Sequence, residues 1–181
     1  ILESLDAEKA AEIIEEMAPD EAADALAELE EGVSEVILEE METQPKMEVR
    51  ELLEFEEDTA GGLMNTEYVA LYEGATLEDA ITALKGNEEL LESLNTLFLI
   101  DGEGRLRGAI PLARLLTAQP GSPVRSLCAE PLIRIPVEEK HKRVVELFDK
   151  YNLLTLPVVD EEGRLVGVIT ADDVISLLRE K

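Results

Sequence analysis

Apolar residues in the first third of the chain recur at every third or fourth position, a spacing typical of short amphipathic helices. The first apolar stripe consists of Leu5, Ile13, Ile14 and Met17. Asp6 is placed to cap this helix, and Pro19 suits the first turn of a second helix, which Gly32 is expected to end. Two similar units follow. Because each unit is too small to bury its own apolar face, we expect the units to stack into a small superhelix.

The rest of the chain contains an internal duplication. Residues Phe98–Leu116 match Pro157–Leu178 at a constant offset of 59 positions, through the shared pattern of an aspartate, a glycine, Arg-Leu and a second glycine. Each copy predicts a strand, a tight turn, a second strand and a helix. Gly104 and Gly163 occupy the turn, where a positive φ angle favours glycine.

Each copy is preceded by a short extended segment and a helix. In the first copy the segment Tyr68–Leu71 precedes a helix that begins with a capping-box pattern at Thr76. In the second copy the segment Leu132–Ile135 precedes a helix from about residue 137 to 151. The sequence therefore predicts an α+β multi-domain chain: a small all-α superhelical domain, then two β-α-β-β-α units joined by a Pro/Gly-rich linker at 119–123.

Charge divides the chain at the same place. The whole chain carries a formal charge of −26, and residues 1–58 hold 22 of its 42 acidic residues but only three of its 16 basic ones. We place the domains at 1–58, 59–121 and 122–181. So acidic a surface repels nucleic acid and anionic lipid, and it favours cations or basic partners. We therefore expect no nucleic-acid partner and no direct lipid contact.

The inventory of reactive side chains argues against an enzyme. Cys128 and His141 are the only cysteine and the only histidine, and no phosphate-binding loop or nucleophile motif is present. A lone cysteine fits a reducing cytosol. No apolar run reaches the length of a membrane span. Because the sequence begins at Ile1 rather than Met, we expect it to be part of a longer polypeptide.

Two motifs carry a family resemblance. GVITADDVI, which starts at Gly167, and the duplication around it resemble a tandem pair of CBS domains. The acidic helices followed by DTAGGLMNTEYVAL, from Asp58 to Leu71, resemble the cytosolic part of the MgtE family of bacterial magnesium transporters. The resemblance covers nearly the whole chain. It implies a region at the cytoplasmic face of the inner membrane that pairs as a homodimer through its CBS domains, with a transmembrane domain on the same chain.

The resemblance also implies a function and a set of metal ligands. Mg²⁺ would bridge acidic faces of the helical and CBS domains and favour the closed state of the transporter. The matching positions are Asp20 and Asp24 in the helical domain, the backbone oxygen of Gly62 at the junction, and Asp172 and Asp173 near the end of the chain. Asp20 and Asp24 are four residues apart, so they share one helix face and repel each other unless a cation lies between them.

The four aspartates also have plainer interpretations. An acidic pair on a helix is usually a solvated face. Asp172 and Asp173 begin a helix, where carboxylates complement the helix dipole. Thr170 with Asp173 is also the candidate ribose-binding pair of a CBS nucleotide site, which makes ATP or another adenine nucleotide a possible ligand. The alternative function is thus a soluble adenine-nucleotide sensor whose acidic helices bind a partner.

Several positions depart from the family pattern. Asn152 and Ser176 stand where acids are expected, and Lys142 replaces a glutamate, which puts some magnesium sites in doubt. In the first copy Pro111 and Arg114 occupy the places of Thr170 and Asp173, so a nucleotide site there is degraded. The basic run 140–143 is expected to pair with acids on its own helix, although phosphates or the acidic helices are alternative partners.

Overall fold

A computed structural model describes residues 5–179 and begins with four short helices. They are α1 (Ala7–Glu15), α2 (Pro19–Ala27), α3 (Glu31–Glu40) and α4 (Thr43–Leu53). Pro19 is the first residue of α2, where its missing N–H costs nothing. Asp6 precedes α1 as predicted, but its side chain makes no capping hydrogen bond. The prediction that Gly32 ends α2 is wrong: α2 ends at Ala27, and Gly32 lies in the first turn of α3.

The four helices pack through small and branched side chains. Helix α1 lies against α3, and α2 lies against α4. Ala10 and Ala22 are completely buried or nearly so, and their small side chains allow the helices to approach each other closely around Ile14 and Leu26. Ile13 belonged to the predicted stripe but is 45% exposed. The buried face of α1 is therefore turned towards Ala10, Ala11 and Ile14.

Two similar repeats follow. The first contains β1 (Ala70–Tyr72), α6 (Leu77–Lys85), β2 (Thr96–Ile100) and β3 (Leu106–Pro111). The second contains β4 (Ile135–Pro136), α7 (His141–Tyr151), β5 (Thr155–Val159), β6 (Leu165–Thr170) and α8 (Ala171–Arg179). Thr76 and Asp79 form the predicted capping box at the start of α6. The helix predicted at the end of the first copy is instead a 3₁₀ segment, Leu112–Thr117.

Each repeat builds one three-stranded sheet with the same topology. The first strand is parallel to the second, which pairs antiparallel with the third. Gly104 and Gly163 both have φ of 79°, as the turns between the antiparallel strands require. The turns meet each other: the Leu106 N–H donates to the Gly163 carbonyl and the Leu165 N–H to the Gly104 carbonyl, each at 3.0 Å. The repeats are thus related by an approximate twofold axis.

The junction between the helices and the repeats contains α5 (Ala60–Leu63) and is attached to the second repeat. The Ala60 N–H donates to the Glu139 carbonyl at 2.7 Å, and the Gly61 N–H donates to the Val137 carbonyl at 2.9 Å. Ala60 and Met64 are buried within one apolar cluster that contains residues of α1–α4 and of the second repeat. The helical domain and the second repeat therefore share a core. None of the helices in residues 5–179 has the length and apolar character needed to span a bilayer.

Candidate functional site

A cleft of about 680 Å³ lies between the helical domain and the second repeat. We call it the interdomain cleft. One wall is α2, and the other is formed by the junction and by the starts of α7 and α8. Eight carboxylates line it: Asp20, Glu21, Asp24, Glu28, Glu57, Asp58, Asp172 and Asp173. Gly62 lines it too, so all five predicted metal ligands face the same space.

Helix α2 places Asp20 and Asp24 on the cleft side. They are one turn apart, and Ala22, Ala23 and Leu26 are buried on the opposite side of the helix. Asp24 is exposed, whereas Asp20 is partly buried. Asn65 of the junction donates a hydrogen bond from Nδ2 to Asp20 Oδ1 at 2.6 Å, which fixes the Asp20 side chain. One oxygen of that carboxylate is therefore already occupied by an amide donor.

The surroundings of the Asp20 carboxyl disfavour its ionised form. Burial, and then the negative charge of Asp173 across the cleft, raise its pKa from 3.8 to about 6. Burial also raises the pKa of Asp173, with further contributions from Asp172 and Glu21. The carboxylates of Asp20 and Asp173, from different domains, thus face each other in a partly buried space. A cation between them would offset their mutual repulsion.

Asp172 and Asp173 differ in their roles on α8. Asp173 Oδ2 accepts hydrogen bonds from the Thr170 N–H and from the Thr170 hydroxyl, both at 2.6 Å. This is the same cap that Thr76 and Asp79 build on α6. Asp172 is exposed at the cleft. Asp173 therefore stabilises the start of α8, which is the plainer of its interpretations. Asp172 is the better placed of the two for a hydrated cation.

The two junction glycines, Gly61 and Gly62, are tightly packed against neighbouring atoms. A Cβ atom on Gly61 would lie 2.6 Å from the Phe55 ring, and one on Gly62 would lie 2.5 Å from the Glu56 carbonyl oxygen. Thr59 is buried and accepts a hydrogen bond from the Gly62 N–H at 3.3 Å. The absence of side chains lets α5 seat against the turn after α4, and it leaves the Gly62 backbone beside the cleft.

The structure shows where the residues that depart from the family pattern lie and what they contact. Ser176 lies in the interdomain cleft as a neutral residue. Asn152 ends α7 in the left-handed conformation with φ of 48°, a position that asparagine tolerates well. Glu138 and Glu139 are the expected helix partners of Lys142 and Arg143, but α7 begins only at His141, so both acids precede the helix. Arg143 pairs with Glu146. Lys140 binds Glu56 and Asp58 of the junction.

The donor set suits a hydrated ion better than a closed coordination shell. Within residues 5–179, no three acidic, histidine or cysteine side chains are gathered closely enough to hold a metal directly. Mg²⁺ commonly keeps several of its waters and takes only one or two carboxylates from the protein. A spacious cleft with carboxylates on both walls and a raised pKa on Asp20 fits that mode of binding.

A smaller cavity of about 220 Å³ adjoins the first, and we call it the sheet cleft. It lies between the two sheets and the start of α2, and Thr170 and Asp173 line it as the nucleotide prediction requires. In the first repeat, the Arg114 guanidinium donates to the carbonyls of Leu127 and Cys128 and is held there. That position thus supplies a backbone contact where the second repeat has a carboxylate.

The sequence interpretation missed three residues that shape the site. Asn65 holds Asp20, Glu21 lines both clefts, and Lys140 anchors the junction. Lys140 belongs to the basic run 140–143, for which pairing with acids on its own helix is expected; its ion pairs with Glu56 and Asp58 correct that expectation. The spacing of Asn65 from Asp20, 45 residues along the chain, gives no local signal.

Comparison with known proteins now identifies the family. The family model of the MgtE intracellular N domain matches residues 1–58, and the CBS domain model matches 60–121 and 124–180. The crystal structure of the cytosolic domain of the Mg²⁺ channel MgtE in complex with ATP is 33% identical, has a TM-score of 0.87, and covers 97% of this chain and 77% of its own. The chain belongs to the MgtE family.

Two further relatives agree. The crystal structure of the soluble part of a magnesium transporter has a TM-score of 0.93 at 28% identity, covering 99% of this chain and 70% of that one. The magnesium transporter MgtE of Thermus thermophilus is 37% identical over 138 residues. Those residues are 76% of this chain but only 31% of the transporter. The predicted family and the predicted fold, a helical domain followed by a CBS pair, are thereby confirmed.

Proposed function

We propose that this chain is the magnesium-sensing cytosolic region of an MgtE-type transporter, in which Mg²⁺ draws the acidic walls of the interdomain cleft together and favours the closed state. The observation that carries the proposal is the opposition of Asp20 and Asp173, whose mutual repulsion adds to the raised pKa of Asp20. The proposed role of the chain is therefore regulatory rather than catalytic. The chain would lie at the cytoplasmic face of the cell membrane.

In this proposal, residues on the two walls of the interdomain cleft have different roles. Asp20 is presented by α2 and oriented by Asn65, while Asp172 and Asp173 are presented by α8 on the opposite wall. With the carboxylates ionised and no cation between them, like charges push the walls apart. A bound magnesium ion supplies positive charge and ordered water that satisfy both walls at once. Asp24 extends the acidic face by one helical turn.

The remaining partners follow from the same proposal. A transmembrane domain on the same polypeptide would receive the change in position, and the CBS domains would pair as a homodimer. Helix α8 supports such a surface, since its Ile175 and Leu178 are 58% and 53% exposed. Exposed apolar side chains on one helix are a common feature of pairing surfaces.

A magnesium titration tests the proposal directly. Millimolar MgCl₂ should lower the radius of gyration in small-angle scattering and slow cleavage of residues 54–58 by a glutamate-specific protease, more than KCl of equal ionic strength. Asp20→Asn with Asp24→Asn should move the midpoint to higher magnesium. The matched control is Glu8→Gln with Glu12→Gln, since these acids are also four apart but lie on α1 outside the cleft. Identical profiles in both salts would contradict the proposal.

A second candidate function is binding of an adenine nucleotide in the sheet cleft. Two observations favour it: Thr170 and Asp173 lie together in a cavity between the two sheets, and the similar cytosolic domain described above was solved with ATP. The two functions share Asp20, Glu21, Asp172 and Asp173, which line both cavities.

A further inference from the structure

Asn65 is built into the second repeat by its backbone. Its N–H donates to the Val168 carbonyl at 2.7 Å, and its carbonyl accepts the Val168 N–H at 2.8 Å, so Asn65 pairs with the middle of β6. The preceding residue, Met64, is buried, and a Cβ atom on Gly167 of the same strand would lie 2.5 Å from its sulfur. Asn65 is therefore a fixed part of the second repeat, although it precedes both repeats in the sequence.

The side chain of Asn65 is held with its NH₂ group towards the helical domain. Asn65 Oδ1 accepts the Glu67 N–H at 2.6 Å, which leaves Nδ2 to donate to Asp20 Oδ1 at 2.6 Å. The opposite orientation of the amide would place its oxygen against the Asp20 carboxylate and its NH₂ group against the Glu67 N–H, so both hydrogen bonds would be lost. The second repeat thus presents an oriented donor to a carboxylate of α2.

The first repeat provides an internal comparison. Its strand β3 matches β6 at the offset of 59 residues, so Ala109 corresponds to Val168. Ala129 donates its N–H to the Ala109 carbonyl at 2.8 Å, and it therefore occupies the place that Asn65 has in the second repeat. Alanine has no side-chain donor. The side-chain donor is thus found on the repeat that shares its core with the helical domain.

We infer that Asn65 is a positioning residue, which docks the helical domain on the second repeat through Asp20 before a cation binds and so lowers the magnesium concentration at which the interdomain cleft closes. The inference rests on the proposed magnesium-sensing function and adds the residue that sets its threshold. A neutral amide attracts the carboxylate without cancelling its charge, so Asp20 still attracts a cation. An ion that binds a wall already in place pays less of its binding free energy for closure.

Two variants at position 65 separate docking from support of the local turn. Asn65→Asp keeps an oxygen that accepts the Glu67 N–H, but it replaces the donor to Asp20 by a second carboxylate. Asn65→Ala removes both contacts and adds no charge. In EDTA, a glutamate-specific protease should cleave residues 54–58 roughly tenfold or more faster in Asn65→Asp than in wild type, and at an intermediate rate in Asn65→Ala. A role confined to the local turn predicts the reverse order of the two variants.

An exchange of the two side chains tests the contact itself. In Asp20→Asn with Asn65→Asp, the amide at position 20 can donate to the carboxylate at position 65, and the net charge of wild type is kept. This double variant should recover most of the difference in cleavage rate between Asn65→Asp and wild type. The matched control is Asn87→Asp, which adds the same charge in the first repeat, where Asn87 Nδ2 donates to the Ala83 carbonyl at 2.9 Å. It should leave cleavage of residues 54–58 unchanged.

Magnesium titrations of the same variants, followed by protection from the protease, test the threshold. Asn65→Ala should move the midpoint to higher magnesium by about the factor by which it accelerates cleavage in EDTA. The reverse order of the two variants, no recovery in the exchange, or an unmoved midpoint would overturn the inference and leave the proposed function standing. A wild-type chain that does not respond to magnesium would overturn the proposed function and the threshold with it, whatever the rates in EDTA.

Discussion

The ammonium group of Lys140 lies 2.7 Å from the Asp58 carboxylate and 2.9 Å from that of Glu56. Lys140 immediately precedes α7, and the two acids belong to the junction that follows α4. The hydrogen bond from Lys140, and to a smaller extent its charge, lower the pKa of Asp58. The backbone reinforces the contact, because the His141 N–H donates to the Asp58 carbonyl at 3.1 Å. A lysine of the second repeat thus already neutralises part of the acidic junction without any metal.

Removing this lysine should loosen the junction at low magnesium. Lys140→Gln leaves Glu56 and Asp58 without their counter-ion, so cleavage at residues 54–58 in EDTA should accelerate. The pair is solvent-exposed, so the change should stay below about tenfold. Lys142→Gln is the matched control on the same stretch of chain. Equal cleavage rates for the two variants would mean that the backbone hydrogen bonds hold the junction alone.

The packing at Gly62 gives a prediction that does not depend on metal. In Gly62→Ala the new Cβ would meet the Glu56 carbonyl oxygen at 2.5 Å and the Glu57 Cα at 2.8 Å. Both atoms belong to the backbone, so the turn must shift, and we expect a loss of about 1–3 kcal/mol in unfolding free energy in EDTA. Gly74→Ala is the control, because nothing lies within 4 Å of its Cβ. A Gly62→Ala variant with unchanged stability but a weakened magnesium response would show that the glycine is needed for metal binding and not for packing.

The duplication made most of the fold predictable. The constant offset of 59 residues identified both turns, and Gly104 and Gly163 indeed share a φ of 79°. The pattern failed where the repeats diverge: Pro111 precedes a 3₁₀ segment, whereas Thr170 precedes α8 and donates its N–H to the Asp173 carboxylate. Pro111 has no N–H to donate and the Arg114 guanidinium has no acceptor, so the contact that starts α8 cannot form in the first repeat.

The site was predictable as a list of acids but not as a geometry. The family resemblance identified Asp20 and Asp24, and their spacing of four residues placed them on one face of a helix. That spacing does not report that the face meets α8, or that Asn65 would hold Asp20. Attachment of the junction to the second repeat depends on hydrogen bonds such as that from Ala60 to Glu139, which join residues far apart in sequence. Local patterns carry no information about such pairs.

Capping and cation binding can be separated on α8. Asp172→Asn should weaken the magnesium response with little effect on stability, because Asp172 is exposed. Asp173→Asn should cost about 1–3 kcal/mol in unfolding free energy even in EDTA, since a charged acceptor of two hydrogen bonds from Thr170 is lost. Chemical denaturation and the scattering titration measure the two effects. Asp79→Asn, which changes the equivalent cap on α6 far from the cleft, should lower stability and leave the magnesium midpoint in place.

The raised pKa of Asp20 predicts how stability depends on pH when magnesium is absent. Burial, followed by the charge of Asp173, raises this pKa from 3.8 to about 6, so the folded chain binds the proton more tightly than the unfolded chain. The contribution of Asp20 to stability therefore falls as pH rises from about 4 to 6. In EDTA, lowering the pH from 7 to 5 should raise the unfolding free energy by about 1 kcal/mol through this residue, since partial exposure reduces the effect.

Asp20→Asn isolates that contribution. The variant should lose the part of the pH 5 to pH 7 difference that Asp20 supplies, whereas Glu8→Gln should retain it. Carboxyls with lowered pKa values, such as Asp58 and Asp160, act in the opposite direction, but only below their ordinary range, so they stay ionised at pH 5. Urea unfolding at the two pH values measures the difference. The same pH dependence in wild type and Asp20→Asn would show that Asp20 titrates normally and that the two walls do not repel each other.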